Sequence, residues 1–453
     1  MERQSTLPTA DLGLMEGNMY EELSPENMIS RIKQCFGEFC DVRTGKNIQY
    51  DMADAGVGAF SVFFTQSPSF LSSQEDMKKQ NGRCNAESLF GMHQIPCDNQ
   101  IRSLLDPVAP AYLSPVFREI FERLVRSGVL ERFRSHANNL LVILDGTQYF
   151  SSDKIHCNRC NSRELSNGKT NYYHCVLTPV IAQPGNEHVI ALAPEFIIPQ
   201  DGKEKQDCEI EAAKRWVAGN GYLAKHGVTI MGDDLFSRQP FVKALKDKHL
   251  RFILVCKPDS HVALYEMVEF LAASGVLGYY QKRCWNGKYG EIYTYRYANK
   301  LPLRGDQAAI DVNWCELTVT RQDTGEQLYK NAFITDFQVL ETTVEAIVLD
   351  GRTRWKVENE NNNVLKTKGY HLEHNFGHGS QHLASLLLSL NLLAFLFHTV
   401  LDLVDKKYRL IRTALRTRRK FFQHIETLLC YIQFSSWDEL FSFMCKGLQL
   451  NTE

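Results

Sequence analysis

Two aspartates each close a short apolar run: Asp145 ends Leu140-Leu141-Val142-Ile143-Leu144, and Asp233 follows Val228-Thr229-Ile230-Met231-Gly232. A third acid, Glu358, stands further on in Arg354-Trp355-Lys356-Val357-Glu358. Hard divalent cations want carboxylate oxygens from rigid elements, and three such acids can hold the two ions of a phosphoryl-transfer site. The carboxyl ends of strands are also where open α/β sheets collect their ligands. Taken singly, an Asp after an apolar run is more often a turn or helix cap. Asp234 and Glu360 stand close enough in sequence to compete with Asp233 and Glu358, or to be solvated acids beside them.

A second constellation is softer. His156, Cys157, Cys160 and His174 combine a C-x2-C pair with two histidines, a ligand set for a tetrahedral structural zinc; the alternative is a pair of reduced cysteines in a loop. His374 and His378, beside Gly377 and Gly379, are read as structural or DNA-proximal and not as ligands. A third feature is the run KKYRLIRTALRTRRK, residues 406–420, with no acid among its basic residues. On a helix, Arg412, Arg416 and Arg419 would share one face suited to phosphate contact, unless that face is merely solvated.

The elements that must position these residues read as α/β. Residues 1–135 form an N-terminal helical domain and a candidate DNA-binding one. Residues 136–257 bring a buried strand ending at Asp145, a hairpin with arms at about 171–182 and 188–198, a helix at about 208–219, the strand ending at Asp233, another helix and a strand at 252–256. Residues 258–338 return to β-type alternation as a β-rich insertion. Residues 339–405 carry a helix from about Leu340 that holds Arg354, Trp355 and Glu358, followed by a long apolar helix, and 406–453 form a basic, helical C-terminal region.

LVILDGTQYF (141–150), TIMGDDLFSR (229–238) and RWKVENENNNVLKTKGYHLEHNFGHG (354–379) resemble the three catalytic blocks of IS-four-type DDE transposases, over about 139–404. In that family the first Asp ends the first strand, the second heads an Asp-x-x-aromatic block, matched by Asp233 and Phe236, and the Glu lies in an Arg-x-x-x-Glu block, matched by Arg354 and Glu358. Two positions depart from the pattern: Gly351 stands where the family has Tyr, and Leu365 where it has Lys, with Lys366 and Lys368 the nearest lysines.

The resemblance implies a ribonuclease H-like core, a mixed sheet flanked by helices, with Asp145, Asp233 and Glu358 holding two Mg2+ (or Mn2+) ions. It implies cleavage at transposon ends and strand transfer into target DNA, with water and then a DNA 3′-hydroxyl attacking in line. The partners would be double-stranded DNA, both ends and target, and a second copy of the chain in a synaptic homodimer. Arg354, Lys366 and Lys368 would contact phosphates, and Trp355 would stack on an unpaired base unless it is a buried Trp. A catalytically inactive, transposase-derived DNA-binding protein is the alternative.

Composition sets the limits. The 453 residues exceed one ordinary domain, and a net charge of −2 confines any DNA surface to a local patch. Thirteen cysteines behind a start that lacks a basic and an apolar segment point to a reducing compartment, which the resemblance implies is the bacterial cytoplasm and its nucleoid. Residues 383–401 carry no charge and approach transmembrane length, but Ser385, Ser389, Asn391 and His398 favour a buried core helix with no membrane partner.

Overall fold

A computed structural model describes residues 21–39, 41, 43–44, 48, 50–78, 85–199 and 208–452. The first twenty residues, on which the expectation of no signal-type segment rests, lie outside the described residues. The chain divides into two compact units, one of residues 1–101, 118–129 and 397–453, the other of 102–117 and 130–396.

The first unit is helical. Its helices include Pro25–Gly37, Met52–Phe64, Asn85–Phe90, Lys406–Leu415, Arg418–Tyr431 and Trp437–Gly447. Each of Pro25, Met52, Lys406, Arg418 and Trp437 follows a Ser, Thr or Asp whose side chain accepts a backbone N–H of the first turn. Edge-on aromatic contacts join Phe64 to Phe90 and Trp437, and Phe60 to Phe397, in its core. The basic run is not one helix: Arg416 adopts a left-handed φ of 59° between two helices. Arg412, Arg416 and Arg419 therefore lie on one helix, a break and the next helix, and not on a common face. The single-helix expectation fails because Thr417 caps a new helix, accepting from the Lys420 N–H.

The second unit is α/β, built on a nine-stranded mixed sheet and a smaller four-stranded one. The strands are β1 Leu140–Ile143, β2 Gly146–Ser152, β3 Asn161–Glu164, β4 Thr170–Leu177, β5 Val180–Ala182, β6 Ile190–Ala191, β7 Glu195–Ile197, β8 Val228–Gly232, β9 Arg251–Val255, β10 Gly278–Trp285, β11 Gly290–Pro302, β12 Asp311–Arg321 and β13 Gln327–Thr335. The large sheet runs β10-β11-β12-β13-β9-β8-β1-β5-β6. β1, β8 and β9 are mutually parallel, and the other neighbours are antiparallel. β1 is buried at every position and β8 likewise, as strands in the middle of a covered sheet must be.

The expected hairpin forms, but its arms are shared between the sheets. β5 pairs with β6 in the large sheet, whereas β4 pairs with β7 in the small one. The strands of 258–338 add to the same large sheet through β13 and β9, preceded by a helix at Val262–Ala273. The helix expected from Leu340 is interrupted: Val344–Arg352 is α-helical, Val357–Asn362 is a π-helical turn, and Asn363–Thr367 resumes. The Thr353 hydroxyl at the break donates back to Leu349 O at 3.1 Å, competing with the backbone ladder.

Leu383–Val404 is long and apolar enough to cross a membrane, yet 89% of its most apolar window is buried inside the protein. Its polar Asn391 donates to Tyr370 O at 2.7 Å, as in a core helix.

Candidate functional site

The register of the parallel strands sets the acidic centre. Ile143 lies opposite Met231, so Asp145 and Asp233, each two residues further on, leave neighbouring strands at one level. Adjacent strands are about 4.8 Å apart. Burial pushes the Asp145 carboxyl up to about 7; Arg354 opposes that shift, and Glu358, Glu209 and Asp233 add to it. Asp233, Glu358 and a fourth acid, Glu209, thus fall within electrostatic reach of Asp145. Its oxygens are not drawn to one point: among the described residues, the group of three or more metal-type side chains with ligand atoms within 4.8 Å of one another is a different one, built from cysteine and histidine.

Neighbours hold each acid. Asn362 Nδ2 donates to Asp145 Oδ2 at 2.9 Å, and Asn362 Oδ1 accepts from the Thr178 hydroxyl at 3.0 Å. Thr178 also donates its N–H to Asp145 O at 3.0 Å, closing a small circuit. Asp233 turns the chain by accepting the Leu235 N–H at 2.9 Å, and Phe236 is fully buried beneath it. Glu358, exposed on the π-helical turn, pairs with Arg354 at 2.8 Å. One such turn re-aims the side chains that follow it, and π-turns are frequent at functional sites.

The competing acids separate cleanly. Asp234 accepts the Lys257 N–H at 2.6 Å and the Ser260 hydroxyl, so it ties the end of β8 to the segment after β9. Glu360 is half-buried, and among the described residues its carboxylate makes no hydrogen bond or ion pair with the centre. Glu209, absent from the sequence-based set, opens the helix Glu209–Gly219; burial raises its carboxyl, and Asp233 raises it further. An acid in the first turn of a helix looks, in sequence, like an ordinary dipole partner and carries no other signal.

Of the expected DNA-contacting residues, Trp355 is 45% exposed, so it is not a buried core Trp, and Lys356 Nζ sits 4.8 Å over its ring while donating to Asn186 O. Lys366 is ion-paired with Glu373 at 3.0 Å, and Lys368 is exposed. Arg412 lies 5.5 Å over the Phe421 ring, whereas Arg416 and Arg419 are exposed.

The soft cluster differs from the expected set by one residue. Cys157, Cys160 and His174 converge, but the fourth member is His378, and His156 stacks instead on Tyr172 at 4.4 Å. His156 follows a strand end and its Nδ1 is held at 3.2 Å from Lys154 O, which turns the ring away. The Cys157 thiol is held far below the usual range by hydrogen bonding with Cys160, then with His174 and His378, against burial. Cys160 is driven up by the Cys157 thiolate and by burial. These four side chains can bind a metal such as zinc. A cavity of about 260 Å³ adjoins them, lined in part by Tyr149, Arg159 and Arg215.

Neither a scan against models of known protein families nor a search of curated proteins finds a match for this chain.

Proposed function

We propose that the chain is a DNA transposase of the DDE kind, cutting at transposon ends and joining them to target DNA by in-line phosphoryl transfer on a ribonuclease H-like core. The observation that carries this reading is the β1–β8 register, which sends Asp145 and Asp233 off adjacent strand ends with Glu358 in electrostatic reach. A mixed sheet with helices agrees with that core.

An all-carboxylate donor set fits Mg2+ or Mn2+. Asp145, Asp233 and Glu358 would hold two such ions, which supply polarisation of a phosphate and activation of the attacking hydroxyl. The rest is the chain's own work. Asn362 and Thr178 fix the direction of the Asp145 carboxylate, and the two strands fix its spacing from Asp233. Arg354 balances part of the negative charge through Glu358. The exposed Trp355 and Lys368 offer a stacking face and a cation to double-stranded DNA, in a homodimeric synapse in the bacterial cytoplasm.

The test is duplex DNA carrying the inverted ends of the element that brackets the gene, incubated with the full chain and Mg2+. Cleavage at the ends is expected, and chelator or Asp145→Asn should remove it. Specific binding without cleavage would make the chain a transposase-derived DNA-binding protein. Absence of both binding and cleavage would overturn the proposal.

A further inference from the structure

Three stretches far apart in sequence bring four soft ligand atoms to one point. Cys157 and Cys160 flank the turn between β2 and β3, His174 lies on β4, and His378 stands in the segment before the Leu383 helix, 218 positions beyond Cys160. The sulfurs are 3.9 Å apart; His174 Nε2 is 3.7 Å from Cys157 Sγ and 3.4 Å from Cys160 Sγ, and His378 Nε2 is 3.5 Å from Cys160 Sγ.

Zinc bonds of about 2.3 Å to sulfur and about 2.05 Å to nitrogen, at tetrahedral angles, require about 3.8 Å between sulfurs and about 3.6 Å between sulfur and nitrogen. The four separations match these within about 0.2 Å. A disulfide would need the sulfurs at about 2.05 Å. Hydrogen bonding among the groups themselves is a poor account, because each thiol has a single weakly donated proton and three partners converge on Cys160.

We infer that Cys157, Cys160, His174 and His378 form a closed, structural zinc site that clasps the segment ahead of the Leu383 helix to the β2–β4 sheet. All four positions are filled by protein, so no open position is left for water or substrate. The Cys157 N–H donates to Cys160 Sγ at 3.4 Å, as a thiolate ligand would accept. The Phe150 ring, 4.4 Å from His378, and the Tyr149 ring, stacked on His174, wall the site. The clasped segment is fixed at its other end as well: Asp106 accepts backbone N–H groups of Ser380, Gln381, His382 and Leu383. Because β2 starts one residue after Asp145, the zinc sheet continues into the acidic centre. The zinc site itself stands without the transposase reading.

Full-length protein purified without chelator should contain one zinc per chain by elemental analysis. His378→Ala should weaken zinc binding by more than about 100-fold, since even outer partners of zinc ligands are worth about 10–100-fold. Cys157→Ser should abolish binding, and His156→Ala should leave it unchanged. Should a variant fail to fold, cobalt exchanged into the wild type must give the spectrum of a tetrahedral ion with thiolate charge transfer. Native protein with no zinc and no such cobalt spectrum overturns the site. Zinc lost in His156→Ala but kept in His378→Ala overturns the ligand set. On chelation, amide hydrogen exchange across 374–382 should rise at least tenfold; unchanged exchange overturns the clasp.

Discussion

The carboxylate of Glu209 occupies the space that a side chain on Gly146 would need: a Cβ there would lie 2.4 Å from Glu209 Cδ and 2.5 Å from Oε1. Gly146 directly follows Asp145, so the absence of a side chain at one position lets a fourth acid reach the centre. Gly146→Ala should leave the fold intact, because the displaced atoms end a flexible side chain, while lowering metal-dependent cleavage by up to about 100-fold, as a misplaced catalytic group does. Glu209→Gln should act in the same direction. Thermal melting together with end cleavage checks both; wild-type cleavage in each would remove Glu209 from the centre.

Asp145→Asn, Asp233→Asn and Glu358→Gln should each reduce end cleavage by about two to three orders of magnitude, the several kcal/mol that bound cations supply. Asp234→Asn should behave oppositely. It weakens hydrogen bonds to Lys257 and Ser260, so it should cost about 1–2 kcal/mol of stability while cleavage persists. Denaturant melts and cleavage rates measured on the same preparations separate the two classes.

Asp106 predicts a pH effect of definite sign. Burial pushes its carboxyl up, but the hydrogen bonds from Ser380, Gln381 and Leu383 outweigh burial and hold it below the ordinary aspartate range. A lowered native value means that the unfolded chain takes up the proton first. The stabilisation is therefore complete above the ordinary aspartate value near 3.8 and is lost as pH falls through the native value. Asp106→Ala should cost about 1–2 kcal/mol at neutral pH, as loss of a helix-capping side chain does. The difference from wild type should shrink in acid, which melts at pH 7 and pH 3 would reveal.

For the basic run, Arg416→Gln with Arg419→Gln should shallow the salt dependence of DNA binding by up to about 0.9 log unit for each phosphate no longer neutralised, without altering the melt. Arg412→Gln should instead lower stability, by about 0.5–1 kcal/mol, because its guanidinium lies over the Phe421 ring. An unchanged salt slope in the double variant would make this a solvated surface.

How much was legible in the sequence depended on the range of the signal. β1 and β8 are readable because a short buried run of apolar and β-branched residues that ends on an acid has few other uses in an α/β chain. Asp145 and Asp233 followed directly from them. The π-helical turn that carries Glu358 is not readable, since one wider turn of backbone leaves the apolar spacing of a short helix unchanged. No local pattern joins His378 to Cys157 and Cys160, because Cys160 and His378 are 218 positions apart. The flanking Gly377 and Gly379 were the available hint: Gly379 has φ +69°, and a Cβ there would meet Asp106 Oδ1 at 2.2 Å. The basic run misled because its charge pattern continues smoothly across the backbone break at Arg416.

The two margins of the nine-stranded sheet answer a hazard common to open sheets, recruitment of a strand from another molecule. At one margin β6 has only two residues, too short a template to extend. At the other, β10 runs for eight residues and presents aromatic Tyr279 and Trp285, but Arg283 lies between them on the same exposed row and the neighbouring Lys282 is ion-paired with Glu345. A strand added there would have to strip water from these charges. The sheet is thus closed to growth by brevity on one side and by charge on the other, which keeps a long β-ribbon from becoming a site of aggregation.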